Sequence, residues 1–260
     1  MLECVVNISE GCDRAVIDAI AAAAGADLLD VHTDPHHHRS VLTLAGEVAA
    51  RAVAAEAVAR IDLRRHQGVH PRIGAVDVVP FVNLDGADLA PCLAARDAFC
   101  AWAAEHLELP TFTYGPERSL PEVRRRAFAD LAPDHGPDRP HPTAGAAAVG
   151  ARPVLVAYNV WLARPDLALA RRVAAEVRRP GVRTLGLAVG ERVQVSMNLV
   201  DPGSVGPAAA ADAVAALAAT DGCELVGLLP RSVLEAVPEE RWLELDLGED
   251  RTIEARLTRR

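Results

Sequence analysis

The sequence predicts an α+β fold of two similar subdomains, each a mixed β-sheet with helices packed on its outer face. Three observations lead there. Short β-branched runs alternate with alanine-rich stretches along the whole chain. Antiparallel hairpins interrupt that rhythm, which disfavours a doubly wound parallel sheet. One arrangement also recurs: "ECVVNISEG", "LVAYNVWLAR" and "QVSMNLVDPG" each carry an asparagine (Asn7, Asn159, Asn198) at the end of an apolar strand.

The elements follow in order. "ECVVNIS" reads as a strand, the stretch from Glu10 to Ala26 as a turn into a helix, and "DLLDVHTD" as a second strand. Val41, Leu42, Thr43 and Leu44 form a third strand ended by Gly46. "EVAARAVAAEAVARI" is a helix whose expected apolar stripe is Val48, Val53, Val58 and Ile61. A loop leads to "AVDVVPFVNL", a buried strand interrupted by Pro80, then a long helix from Asp88 and the short strand "PTFTYG". Residues 115–147, rich in Pro, Gly, His and Asp, read as irregular with one short helix at the front. The second part begins with the strand "ARPVLVAYNVWL". A helix, a hairpin turning at Gly190, a second helix and the strand "CELVGLLP" follow, and the tail adds a short helix and "WLELDL" as an edge strand.

Composition closes off several chemistries. The 260 residues include 27 Arg and no Lys, so no Schiff-base or P-loop lysine can exist. A net charge of −9 argues against a nucleic-acid backbone as partner. No basic-apolar leader opens the chain and no apolar run is long enough to cross a bilayer, which predicts a cytoplasmic protein without membrane contact. Five cysteines without CxxC spacing read as reduced thiols.

Three segments bear on chemistry. "HTDPHHHRSV" groups His32, Asp34, His36, His37 and His38. Neighbouring residues of a strand point to opposite faces, so these histidines cannot all converge on one ion, and no metal is expected. His66 and His70 have the spacing of a zinc-binding helix, but Pro71 and Gly68 make the segment a loop. "GVHPRIGAVD" instead fixes His70 between backbone-restricting residues with Arg72 close by, the arrangement a reacting imidazole beside an anion-binding guanidinium requires. Prolines 133, 137, 140 and 142 make "APDHGPDRPHPTAG" either a linker between subdomains or a stiff wall lining a cleft at their junction.

"ECVVNISEG", "GVHPRIGAVDVVPF", "PTFTYG", "APDHGPDRPHPTAGAAAVGAR", "LVAYNVWL", "VQVSMNLVD" and "LVGLLP" resemble, in this order, blocks of the formiminotransferase family, across nearly the whole chain. The resemblance implies a formiminotransferase N-terminal subdomain over 1–150, a C-terminal subdomain over 151–260 and a folate groove between them. The length leaves no room for a cyclodeaminase, so a stand-alone transferase is expected. The implied reaction moves a formimino group from N-formimino-L-glutamate to N5 of tetrahydrofolate, which is a substrate here. The family's catalytic histidine falls on His70. Its folate segment falls on Gly136, Pro137, Asp138, Arg139, Pro140, His141, Pro142, Thr143, Ala144 and Gly145. Two departures stand out: His32, where several members have an acid, and His38, where Asn is usual.

On this reading His70, with an ordinary pKa near about 6.5, takes a proton from N5 and returns it to the leaving nitrogen. Arg39, Arg72 and Asn7 are candidates to hold substrate. A homodimer and a separate cyclodeaminase are compatible partners. The rivals are a metal-assisted amidohydrolase using the His32–His38 cluster and a non-catalytic folate- or pterin-binding protein.

Overall fold

The computed structural model describes residues 1–68 and 70–259. The chain divides into two compact units, Met1–Pro153 and Val154–Arg260.

The first unit runs β1 (Leu2–Ile8), α1 (Arg14–Ala22), β2 (Leu28–Asp34), β3 (Arg39–Ala45), α2 (Glu47–Arg60), β4 (Val76–Asn83), α3 (Ala90–Leu107), β5 (Thr111–Tyr114), α4 (Leu120–Arg126) and β6 (Ala147–Ala151). Its six-stranded sheet has the order β2-β3-β1-β4-β6-β5. The four strands from β2 to β4 are antiparallel to their neighbours, whereas β6 runs parallel to β4 and β5 parallel to β6. Alternation along the strands separates two faces. Cys4, Val6 and Ile8 of β1, Leu42 and Leu44 of β3, and Ala147, Val149 and Ala151 of β6 join the core formed with α1, α2 and α3. Ala146 and Ala148 point the other way, into a small cluster with Phe112, Tyr114 and Val123 of α4. Asn7 and Arg39 alternate with the core residues of β1 and β3, so they project from the face opposite α1, α2 and α3.

Local chemistry explains the helix limits. Asp13 caps α1 by accepting from the amides of Ala15 and Val16, and Ser119 caps α4 through the amide of Glu122. In α2 the buried side is Ala49, Ala50, Val53, Ala54 and Ala57. The expected valine stripe is wrong at its start, since Val48 is 75% exposed. Five residues separate Val48 from Val53, well off the helical repeat, and small alanines let the helix sit close to the sheet.

The second unit runs β7 (Val156–Leu162), α5 (Leu167–Val177), β8 (Val182–Val189), β9 (Arg192–Leu199), α6 (Pro207–Ala215), β10 (Thr220–Val226), α7 (Arg231–Glu235) and α8 (Ile253–Leu257). Its sheet order is β10-β7-β9-β8, antiparallel throughout. Each unit therefore contains the same strand-helix-strand-strand-helix-strand weave, with its four strands in the same spatial order. β1 and β7 occupy the same place, carrying Asn7 and Asn159. Asn198 lies on β9, the counterpart of β3, so it is not a third copy of that position.

Two tail and junction features differ from the sequence reading. "WLELDL" forms no strand: Leu245 N–H reaches the carbonyl of Arg241 at 3.1 Å and Leu247 N–H that of Trp242 at 2.8 Å. Its alternating pattern satisfies a turn instead, with Leu245 and Leu247 buried, Leu243 94% exposed, and Asp246 in the left-handed region. The short strand β6, "AAVGA", lacks the bulky residues that announce a strand. Among the described residues, no helix is long and apolar enough to cross a membrane.

Candidate functional site

The site is built around one carboxylate, Asp77, fully buried near the start of β4. A buried charge without partners is prohibitively costly, and this one has three. Arg39 donates to its Oδ2 at 2.6 Å from the start of β3, and Arg124 donates to the same oxygen at 2.6 Å from α4. The Ile73 N–H donates to Oδ1 at 2.8 Å. Burial pushes the Asp77 carboxyl up, but the two guanidinium groups and the Ile73 amide outweigh it and hold it below the usual carboxylate range. Arg39 is steadied further by Asn7, whose Oδ1 accepts from its Nε at 3.2 Å and Nη2 at 2.9 Å. Two cations against one anion leave a local excess of positive charge, and Arg72, fixed to the carbonyl of Gly68, adds to it.

His70 sits over this cluster. Its Nδ1 lies 2.7 Å from the carbonyl oxygen of Pro71, which can only accept, so Nδ1 carries the proton and Nε2 keeps a free lone pair. Arg124 donates to the same carbonyl and so ties α4 to the loop. Burial, then Arg39, then Arg124 disfavour the imidazolium and hold His70 down at about 3, against the opposing pull of Asp77. The imidazole is therefore neutral at physiological pH.

The histidine-rich turn packs against the same loop. His37 donates through Nδ1 to Asp34 Oδ2, and its backbone N–H donates to Asp34 Oδ1 at 3.0 Å. Burial raises the Asp34 carboxyl, but these hydrogen bonds bring it down to about 2. The His37 and His70 rings meet edge to face, with centroids 6.1 Å apart. His38, in the left-handed region at φ 51°, places Nδ1 2.6 Å from Nε2 of His66. Burial lowers the proton affinity of His66. Gly68 fits between these residues: a Cβ there would lie 2.7 Å from Cβ of His38 and 2.8 Å from Cε1 of His66. The cluster does not converge, because His37 turns to Asp34 and His38 to His66. Donor atoms of Glu10, Cys12 and His38 do lie within 4.8 Å of one another. Hydrogen bonding accounts for that grouping, since Glu10 Oε1 accepts the amides of Gly11, Cys12 and Asp13 at 2.8–2.9 Å.

The Pro/Gly segment is anchored within the first unit at both ends. At its start, Asp134 accepts from the amide of Thr113 at 2.8 Å and from Arg118 at 2.9 Å, while Thr111 and His135 exchange backbone bonds. At its end, His141 and Gly145 pair with each other, Thr143 O accepts from Leu63 N–H at 2.8 Å and Ala144 O from Ala75 N–H at 2.8 Å. The ring of His141 accepts the amide of Ala144 at 3.0 Å on Nδ1, which leaves its Nε2–H as a donor. Pro137, Asp138, Arg139, Pro140 and Pro142 span the interval, with Asp138, Arg139, Pro140 and Pro142 exposed. Gly136 and Gly145 adopt φ of 86° and 70°, values side chains rarely accept.

The structure thus brings His70, Arg39, Arg72 and Asn7 together. Sequence reasoning missed Asp77 and Arg124. The signal for the first was present: one acid inside an otherwise apolar buried strand demands cationic partners. Nothing marked Arg124 out from its two arginine neighbours.

Residues 1–152 match the family model described as the formiminotransferase domain, N-terminal subdomain. The chain belongs to the formiminotransferase family. It is similar to the glutamate formimidoyltransferase of Streptococcus pyogenes, at 37% identity over 77% of this chain and 78% of that protein. It is also similar to the glutamate formimidoyltransferase of Thermoplasma acidophilum, at 33% identity over 90% of this chain and 89% of that one. The formimidoyltransferase-cyclodeaminase of Rattus norvegicus is 35% identical over 77% of this chain, but the match covers 44% of that longer protein.

Proposed function

We propose that the chain transfers the formimino group of N-formimino-L-glutamate to N5 of tetrahydrofolate, with His70 as the base. Family membership makes it a glutamate formimidoyltransferase by class. The observation that supports the finer reading is the neutral His70, fixed through Nδ1 and offering Nε2 beside a group of cations.

N5 attacks the amidine carbon and becomes cationic. A base with a free lone pair at that point removes the proton, and a weak base suffices because the attacking nitrogen has become a strong acid. Arg39 and Arg72 attract the carboxylates of the donor, and Asp77 with Asn7 keeps Arg39 in one orientation. The segment from Gly136 to Gly145 binds folate: its ends are already hydrogen-bonded to the first unit and its prolines restrict the chain, so little entropy is lost on binding. No step requires a metal. A homodimer, and release of product to a separate cyclodeaminase, complete the proposal.

Turnover with formiminoglutamate and tetrahydrofolate, followed through the formimino product, tests the reading. Binding of folate without turnover would favour a non-catalytic folate-binding protein. A stoichiometric metal in untagged protein, with activity lost on chelation, would favour the amidohydrolase.

A further inference from the structure

Transfer needs two proton movements, and the base described above accounts for one. The N5–carbon bond forms and N5 loses a proton. The bond from carbon to the glutamate nitrogen then breaks, and that nitrogen must gain a proton because it is otherwise a very poor leaving group. The formimino C=NH is regenerated, glutamate leaves as an amine, and nothing is oxidised or reduced. A proton taken by so weak a base as His70 passes readily to water, so a different group is needed to deliver one to the leaving nitrogen.

We propose that His37, held by Asp34, is the general acid that protonates the departing glutamate nitrogen, working opposite His70. This rests on the transferase reading given above. Both imidazoles have Nδ1 committed to an oxygen acceptor, Asp34 for His37 and Pro71 for His70, so each handles protons at Nε2. Their rings are 6.1 Å apart between centroids, a separation that leaves both within reach of one small reacting group. Their surroundings are opposite in charge. Arg39 and Arg124 act on His70, while His37 gives its Nδ1–H to the carboxylate of Asp34. Environments that divide two like groups in this way assign one as base and the other as acid.

Asp34 and His36 belong to the same turn as His37, with the His36 ring 5.7 Å away, and His38, the next residue, has Nε2 3.5 Å from Glu10. His70 faces it from the 66–75 loop. Asp34 is the carboxylate that pairs with it directly.

The decisive measurement compares donors with graded leaving groups: N-formimino-L-glutamate and its 4-fluoro and 4,4-difluoro analogues, whose amines are progressively less basic. Wild type should respond weakly to this series. His37→Gln should lose about 10²–10³-fold in kcat with the natural donor, the scale of general acid catalysis. It should recover most of that loss with the difluoro donor. Asp34→Asn, which keeps the imidazole but removes its anion, should show a smaller loss with the same recovery. His70→Ala should not be rescued by the less basic leaving group. A His37→Gln enzyme that equals wild type, or that is impaired equally with every donor, overturns the proposal while leaving the transferase reading standing. Absence of wild-type turnover overturns both.

Discussion

His70 Nδ1 and the Pro71 carbonyl oxygen are 2.7 Å apart, so a residue and its own successor fix which ring nitrogen keeps its lone pair. His70→Ala should lower turnover by about 10²–10⁴-fold while folate affinity stays near wild type. Steady-state kinetics with a separate folate titration checks this. A variant that keeps most of its activity would make His70 a structural residue.

Because His70 is held at about 3, its acid limb lies far below the ordinary histidine range. Protonation of His70 should leave the rate untouched from about pH 5 to 8, contrary to what an unperturbed imidazole would give. The linkage sign is equally specific. The unfolded chain binds this proton near about 6.5 and the folded chain does not, so stability declines as pH falls from there toward 3. Urea midpoints measured at intervals through that window should drop less steeply in His70→Ala than in wild type.

Asp77→Asn removes the only carboxylate paired with Arg39 and Arg124 among the described residues. Stranding two half-buried cations should cost up to about 3–5 kcal/mol, and equilibrium urea unfolding would read it. Asn7→Ala should instead leave folding nearly intact and raise KM for formiminoglutamate, because it frees Arg39 to rotate.

The segment 134–145 should gain hydrogen-exchange protection when folinate binds, most at residues between its two anchored ends. Gly145→Ala tests the anchor itself. At φ 70°, with the carbonyl of Ile73 against the position a Cβ would take, it should destabilise by more than the roughly 1 kcal/mol that the same change gains at a relaxed site. Unchanged exchange on folinate addition would remove the segment from the binding site.

His66→Ala should cost less than about tenfold in turnover, since its ring nitrogen is engaged by His38. His38→Asn, which installs the residue usual in the family, should keep the turn and the activity. A loss comparable to that of His70→Ala would place the pair in the chemistry.

Much of this was legible in the sequence because the first unit alternates cleanly. β1 to β4 and their helices lie where periodicity put them, and Pro71, Gly68 and the nearby Arg72 single out His70. What failed did so for physical reasons. β6 is a buried strand of alanines, glycine and one valine, so it carries no strand signal. "WLELDL" has a strand's alternation but closes on itself through helical hydrogen bonds. The partnership of Asp77 with Arg124 spans 47 residues, and no local pattern reveals a contact of that range.

β4 is buried along nearly all its length, on both faces, so hydrophobic alternation cannot tell its correct pairing from a shifted one. Asp77 can. Sliding the strand by one residue would carry the carboxylate away from Arg39 and Arg124 and leave a buried charge without its cations. The ionic cluster at the candidate site is thus also a proofreading device for sheet assembly, one that admits a single alignment of the central strand and rejects its near neighbours.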